Sequence, residues 1–185
     1  MESIFFTQER TGRGSQPFTL YKVRTMAGAC AGNEPGLGED RVTGRYPEKH
    51  RVTSLGAILR YLGIDEIPQL YNILRGEMQF IGMRPVLEED VDFFPEDIKA
   101  FYIAHFPGLF PGDLAMARSN GTLKNKYAAM RMFMEEVRKL EEHPVLKNRL
   151  LFALRIIFCS VYHRYTDKEH IDLICEKILG NFSGL

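Results

Sequence analysis

The stretch IDEIPQLYNILRGEMQFIGMRP, residues 64–85, places two carboxylates, Asp65 and Glu66, side by side just before Pro68. Asp is a good N-cap, proline is tolerated in the first turn of a helix, and Gly76 is a natural stop, so the stretch predicts a helix that begins at Asp65. Adjacent carboxylates repel each other, and the cost rises in a cleft as the effective dielectric falls. The pair is therefore either solvated and idle or held by cations.

The patterns around this stretch divide the chain into a mixed first half and a helical C-terminal third. The predicted elements are, in chain order, a β-hairpin from Ile4–Gln8 and Phe18–Arg24, a long loop over 27–50, a helix from Thr53 or Ser54 to Leu62, the helix from Asp65 to Gly76, an extended run over Met78–Met83, a turn at Arg84-Pro85, a helix over Pro95–His105, a non-helical segment over 106–113, and helices over about 123–140, 145–162 and 166–180. We therefore predict an α+β fold in a single domain of residues 1–185, with an N-terminal β-hairpin, a helix-rich core and a helical C-terminal region.

Composition excludes several classes of protein. Lys+Arg and Asp+Glu are equal at 24 each, which argues against a nucleic-acid partner. The three cysteines and five histidines show no metal-ligand spacing, and so sparse a cysteine count is typical of a reducing compartment. No apolar run reaches the ~20 residues that span a bilayer. These observations favour a globular cytoplasmic protein.

The residues alone leave two interpretations of the carboxylate pair open. In the first, Asp65 is an N-cap and Glu66 is a solvated acid in the first helical turn. In the second, Arg60 upstream and Arg84 downstream supply the cations of a phosphate site. Arginine binds phosphate oxygens bidentately, and carboxylates hold Mg²⁺ or attack phosphorus.

The motifs in two segments resemble those of one known family. Residues 51–85 resemble the core of the bacterial sugar transferases, the monotopic polyprenyl-phosphate phosphoglycosyl transferases, whose pattern runs through Asp-Glu, Pro-Gln-Leu, Asn-(Leu/Ile)-Leu, Gly-(Asp/Glu)-Met and Gly-Pro-Arg-Pro. Residues 4–26 resemble the hairpin of the same family, with its Phe-x-Gln-x-Arg-x-Gly and Tyr-Lys-x-Arg-Thr-Met signatures. The resemblance covers about residues 4–118 and leaves 119–185 as a helical extension.

The resemblance implies an enzyme of cell-surface glycan assembly. Family members transfer a phosphosugar from a UDP-sugar to a polyprenyl phosphate, release UMP and require Mg²⁺. By resemblance Asp65 is the nucleophile that forms a covalent phosphosugar intermediate. Glu66 assists as a base or in the metal shell, and both carboxylates are candidate metal ligands.

The same resemblance implies a set of basic substrate-binding residues. They are Arg60, Arg84, Arg118, Lys22 and Arg24. The sequence departs from the family in two places: Met83 stands where the family has a proline, and the segment 107–121 only echoes the family motif, with Arg118 shifted by two positions.

The resemblance also bears on location and on a rival function. Family members carry an N-terminal hydrophobic re-entrant helix, and this sequence begins where that helix would end. We expect a cytoplasmic protein, or one at the cytoplasmic face of the inner membrane if such a helix precedes it, with peripheral membrane contact through an amphipathic face such as 150–162. The alternatives are a non-catalytic homologue that binds a nucleotide-sugar or a partner transferase, and a relative that uses another acceptor.

Overall fold

The structure is a computed structural model that describes residues 3–27, 51–119 and 125–166, apart from the side chains of residues 119, 163, 164 and 166. Its elements, in chain order, are β1 (Phe5–Thr11), a 3-10 turn (Arg13–Ser15), β2 (Pro17–Val23), α1 (Ser54–Leu62), a 3-10 turn (Ile64–Glu66), α2 (Gln69–Leu74), β3 (Gln79–Gly82), α3 (Glu88–Asp92), α4 (Glu96–Ala104), β4 (Gly108–Pro111), α5 (Gly112–Ser119), α6 (Lys126–Glu142) and α7 (Leu146–Thr166). The predicted α+β class is confirmed.

The N-terminal hairpin is confirmed, and its register decides which side chains face inward. Strands β1 and β2 pair antiparallel from Phe5 opposite Val23 to Thr11 opposite Pro17. Because side chains alternate along a strand, Lys22 lies on the same face as Leu20, which is buried. The predicted loop over 27–50 lies outside the described residues from residue 28 onward.

A second small sheet positions the segment that carries Arg84. Strands β3 and β4 pair parallel, with Gln79 opposite Gly108. A Cβ atom at Gly108 would lie 2.0 Å from the backbone nitrogen of Gly82, so only glycine permits this approach. The register places Gly82 opposite Pro111, so the end of β3, just before Arg84, lies next to the start of α5.

The main hydrophobic core lies among the helices of the C-terminal half. Ile98, Phe133 and Ile156, from α4, α6 and α7, are almost completely buried. Tyr102 joins this core to the hairpin, since its hydroxyl donates to the Thr11 carbonyl at 2.8 Å. Burial raises the pKa of Tyr102 to about 12, so the phenol stays a neutral donor at physiological pH.

A buried amide connects α2 to the hairpin. Asn72 is 0% exposed, and its Nδ2 donates to the Thr19 carbonyl at 2.7 Å and to Glu77 Oε2 at 2.8 Å. Its Oδ1 accepts a hydrogen bond from the Tyr21 backbone nitrogen at 3.3 Å. These contacts hold α2 against β2, the strand that carries Lys22.

The predicted start of the helix at Asp65 is wrong. Residues Ile64–Glu66 form a 3-10 turn, and α2 begins at Gln69. The Ile64 carbonyl has no N–H donor four residues later, because that residue is Pro68. The nitrogen of Ile67 bonds to that carbonyl instead, at 3.2 Å, which is the 3-10 pattern.

The boundaries of four other elements also differ from the prediction. Helix α5 begins at Gly112, inside the segment 106–113 that is predicted to be non-helical, and α3 has no predicted counterpart. Helix α6 starts at Lys126, where Asn125 caps it through Oδ1, which accepts from the Ala128 nitrogen at 3.1 Å. Helix α7 continues through Thr166, beyond its predicted end at residue 162, and the last predicted helix otherwise lies outside the described residues. Within the described ranges, every helix is too short or too polar to cross a membrane.

Replacing Asn72 with Ala should lower the free energy of unfolding by about 2–4 kcal/mol, because the Thr19 carbonyl and the Tyr21 nitrogen would lose their buried partner. Urea denaturation followed by circular dichroism measures this change. The control Asn148→Ala alters an exposed asparagine in α7 and should stay within about 0.5 kcal/mol of the unchanged protein. Equal midpoints for the two variants would contradict the role assigned to Asn72.

Candidate active site

The two adjacent carboxylates lie in the 3-10 turn between α1 and α2. Gly63 ends α1 with a left-handed φ of 72°, a conformation that glycine adopts without strain. The turn that follows buries Asp65, which is 9% exposed, and leaves Glu66 half-buried. The interpretation of Asp65 as a helix N-cap is therefore excluded, and a backbone turn of fixed geometry holds both acids.

Lys22 lies close to Glu66. Its Nζ lies 3.8 Å from Glu66 Oε1. Burial lowers the pKa of Lys22 below its ordinary value of 10.5, Glu66 and Asp65 oppose that shift, and Arg84 and Arg10 add to it. The neighbourhood of Lys22 thus contains two carboxylates and three cationic side chains, an excess of positive charge that suits a phosphate ligand.

Arg84 reaches this neighbourhood from the end of β3. Its backbone nitrogen donates to Asp113 Oδ1 at 3.2 Å, and its side chain is exposed. Asp113 is buried in the first turn of α5. Burial raises the pKa of Asp113, and the backbone N–H and positive charge of Arg84 oppose the rise. Asp113 therefore fixes the backbone from which the Arg84 side chain extends.

Arg60 lies in the last turn of α1, just before the turn that carries the carboxylates. Its Nε donates to Thr25 Oγ1 at 2.8 Å, which ties α1 to the chain just after β2. The side chain is half-buried in the last turn of the helix. The assignment of Arg60 to a diphosphate remains a prediction.

The other two basic candidates lie away from the described contacts of the carboxylate pair. Arg24 Nε donates to the Ser3 carbonyl at 2.8 Å, and its guanidinium lies 6.0 Å from the centre of the Phe6 ring. Arg118 lies half-buried in the last turn of α5, and Asp113 lies in the first turn of the same helix. Their substrate-binding roles also remain predictions.

Sequence reasoning missed two residues that belong to this region. Arg10 pairs with Phe18 across the hairpin, so it lies on the same face as Lys22. Period-two alternation together with the hairpin register would have found it. Asp113 had no comparable signal, because its burial depends on the packing of α5 against the rest of the fold.

We compared the sequence with protein families and with known proteins. A family model described as bacterial sugar transferase matches residues 1–166. The exopolysaccharide production protein ExoY of Sinorhizobium fredii (strain NBRC 101917 / NGR234) is 37% identical over 115 residues, 58% of this chain and 50% of the relative.

Two further relatives carry names that specify a reaction. The UDP-glucose:undecaprenyl-phosphate glucose-1-phosphate transferase of Caulobacter vibrioides (strain ATCC 19089 / CIP 103742 / CB 15) is 36% identical over 116 residues, 63% of this chain and 40% of the relative. The UDP-N-acetylgalactosamine-undecaprenyl-phosphate N-acetylgalactosaminephosphotransferase of Aeromonas hydrophila is 36% identical over 108 residues, 57% of this chain and 24% of the relative. The chain spans half or less of the length of these relatives.

Replacing Asp113 with Asn should preserve or raise the melting temperature at pH 7. Asn retains an acceptor for the Arg84 N–H but removes a buried charge. Because folding raises this pKa above its ordinary value of 3.8, the native protein binds the proton more tightly than the unfolded chain, and its stability rises as pH falls. The difference between variant and unchanged protein should therefore shrink as the pH falls through the raised pKa. Thermal melts between pH 8 and pH 4 measure it.

The matched control is Asp97→Asn, which should have the opposite sign. Asp97 is exposed and pairs with Arg131 at 2.7 Å, and that hydrogen bond lowers its pKa. Its contribution to stability is present at neutral pH and is lost as pH falls, so this variant should melt below the unchanged protein at pH 7. A lower melting temperature for both variants at pH 7 would overturn the account of Asp113.

Proposed function

The chain belongs to the bacterial sugar transferase family, and we propose that it transfers a phosphosugar from a UDP-sugar to a polyprenyl phosphate in cell-surface glycan assembly. The observation that carries the proposal is the group of charges around Lys22. Asp65 and Glu66 act on its pKa together with Arg10 of β1 and Arg84, which follows β3. A carboxylate pair beside three cations can both bind a diphosphate and supply a nucleophile.

Asp65 is the proposed nucleophile. A carboxylate oxygen of Asp65 attacks the β-phosphorus of the UDP-sugar, and the bond from that phosphorus to the bridging oxygen breaks. UMP leaves with the electron pair, and the phosphosugar remains on Asp65 as an acyl phosphate. A phosphate oxygen of the polyprenyl phosphate then attacks the same phosphorus, and the Asp65 carboxylate is the leaving group. The fixed 3-10 turn favours this role because it limits the motion of the attacking group.

The cations and Glu66 have supporting roles in this proposal. Lys22 and Arg84 neutralise the diphosphate, which would otherwise repel the attacking carboxylate. Glu66 assists either as the base that takes a proton from the acceptor phosphate or as a ligand of Mg²⁺. Lys22 Nζ lies 3.8 Å from Glu66 Oε1, so this carboxylate lies beside one of the proposed phosphate-binding cations.

The donor set fits Mg²⁺ only in the presence of substrate. Mg²⁺ prefers oxygen ligands, and proteins commonly hold it through one or two carboxylates together with substrate phosphates. In the described part of the chain, no group of three or more His, Cys, Asp or Glu side chains could hold a metal alone. Asp65 and Glu66 would therefore share the ion with the diphosphate, and the ion would supply charge stabilisation to the phosphate oxygens.

Asp65→Asn should reduce phosphosugar transfer by at least about 1,000-fold, because Asn keeps the shape of the side chain but is not a nucleophile. Incubation with a UDP-sugar and Mg²⁺ in the absence of acceptor should release one equivalent of UMP from the unchanged protein. Intact-mass spectrometry should then detect one added phosphosugar, and neither signal should appear with Asp65→Asn. The control Asp92→Asn alters an exposed carboxylate that pairs with Lys99 at 2.8 Å and should behave as the unchanged protein.

Two results would count against this proposal in different ways. UMP release and adduct formation that persist in Asp65→Asn would remove Asp65 as the nucleophile. Binding of a UDP-sugar to the unchanged protein without UMP release would favour the non-catalytic alternative, in which the site binds a nucleotide-sugar or a partner transferase.

Arg84→Ala should weaken UDP-sugar binding by about 1–3 kcal/mol, the usual worth of a hydrogen bond to a charged group. Arg84→Lys should restore part of the loss, since lysine keeps the charge but cannot make a forked contact. Isothermal titration calorimetry with the UDP-sugar and Mg²⁺ measures both. Arg75→Ala is the control, because Arg75 is exposed and pairs with Glu77 at 2.9 Å. Unchanged affinity in Arg84→Ala would exclude Arg84 from the phosphate site.

A further inference from the structure

An apolar cleft of about 240 Å³ opens beside the carboxylate pair. Its walls are the end of α1, the 3-10 turn, the start of α2, strand β4 and the C-terminal half of α7. Glu66 is the charged residue of its lining, and Ile67, Leu70 and Val161 are among its apolar residues. The cleft therefore joins a charged end to a predominantly apolar interior.

We propose that this cleft receives the first isoprene units of the polyprenyl phosphate acceptor. The inference rests on the proposed function and assigns a place to the hydrocarbon part of its second substrate. An amphiphile matches the cleft, since a phosphate can remain near Lys22, 3.8 Å from Glu66, while the hydrocarbon enters between α2 and α7. The phosphate is complementary in charge to Lys22, and the hydrocarbon is complementary to the apolar lining of the cleft.

The volume fits a short length of prenyl chain. A cavity of about 150 Å³ lined by apolar side chains binds benzene, which has six carbons. On that scale a cleft of about 240 Å³ holds roughly ten carbons, or two isoprene units. The remainder of a long polyprenyl chain would continue out of the cleft.

The rim of the cleft provides an apolar path for that remainder. Leu62 and Ile67 are about half exposed at the rim, and Phe158, one turn from Tyr162 on α7, is 67% exposed. Apolar side chains in water at this density indicate a surface that binds another apolar group. A prenyl chain that runs along α7 would remove them from water.

The lining disfavours the nucleotide as the occupant. A nucleobase and a sugar present many hydrogen-bonding groups, and a site that binds them needs several placed polar partners. The polar groups of the lining side chains are the Glu66 carboxylate, the Ser160 hydroxyl and the Tyr165 hydroxyl. The cleft thus suits the acceptor, and the donor belongs on the side of Lys22 and Arg84.

The experiment compares acceptors of different length in the absence of detergent. Phosphosugar transfer to dimethylallyl, geranyl and farnesyl phosphate, with five, ten and fifteen carbons, gives kcat/KM for each. We expect kcat/KM to rise at least tenfold from five to ten carbons, because the second isoprene unit is buried in the cleft. It should rise little from ten to fifteen carbons, because the third unit lies outside the cleft. Equal values for all three acceptors would overturn the inference.

A matched pair of variants locates the effect in the cleft. Leu70→Glu places a carboxylate in the cleft, and Leu74→Glu makes the same change one turn later on α2, where Leu74 is 86% exposed and outside it. Leu70→Glu should reduce the tenfold preference for geranyl phosphate to less than twofold, and Leu74→Glu should retain it. Val161→Glu, with Leu154→Glu as its control on α7, repeats the test from the opposite wall in case Leu70→Glu fails to fold. Equal preferences within both pairs would overturn the inference.

The acceptor-independent release of UMP separates this inference from the proposed function. The unchanged protein should release one equivalent of UMP without acceptor, and this release reports on the donor half-reaction alone. If the unchanged protein releases no UMP, the proposed function fails, and calorimetry with geranyl phosphate decides the inference by itself. Binding to the unchanged protein at least tenfold tighter than to Leu70→Glu would support the cleft, and equal binding would reject it.

Discussion

The buried side chain of Asn72 is the contact on which the geometry of the site depends. Its amide donates to Thr19 and Glu77 and accepts from Tyr21, so α2 cannot move relative to β2 without breaking buried hydrogen bonds. Lys22 directly follows Tyr21 in β2, and Glu66 lies just before α2, so this contact sets the approach of the two charges. An amide donates two hydrogen bonds and accepts one from the same side chain, whereas a carboxylate or an aliphatic group would leave a backbone group unpaired.

The charges of the site are held at a cost to the fold. Burial lowers the pKa of Lys22 and raises the pKa of Asp113, and in both cases the folded environment disfavours the charged form. The stabilising core lies elsewhere, around Ile98, Phe133 and Ile156. Groups whose pKa values are shifted by burial and by nearby charges are common at functional sites. Because the core and the site consist of different residues, the core stabilises the fold while the site keeps its buried charges.

Local signals predicted the elements, and tertiary contacts decided the details of the site. Thr53 caps α1 through its Oγ1, which accepts from the Gly56 nitrogen at 2.9 Å, as its residue type predicts. The 3-10 turn at Asp65 was not predictable from Pro68, because proline is tolerated in the first turn of a helix that begins at Asp65. Helix α5 was not predictable either, because Gly112 begins it against the ring of Phe133, where a Cβ atom would meet the ring at 2.1 Å. A contact between residues so distant in the chain leaves no local pattern.

The periodicity of α1 predicted a helix but could not tell which face of it is buried. Its leucine and isoleucine side is partly exposed, and the buried residues are Gly56 and Ala57. Gly56 packs so closely on the chain after β2 that a Cβ atom would lie 2.0 Å from the Thr25 carbonyl oxygen, so small residues form the packed face. The larger apolar side chains remain on the outer face of α1, which ends at the turn carrying the carboxylates. The proposed acceptor has a phosphate and a long hydrocarbon chain. It therefore accounts for a turn that lies between a charged site and the exposed apolar face of α1.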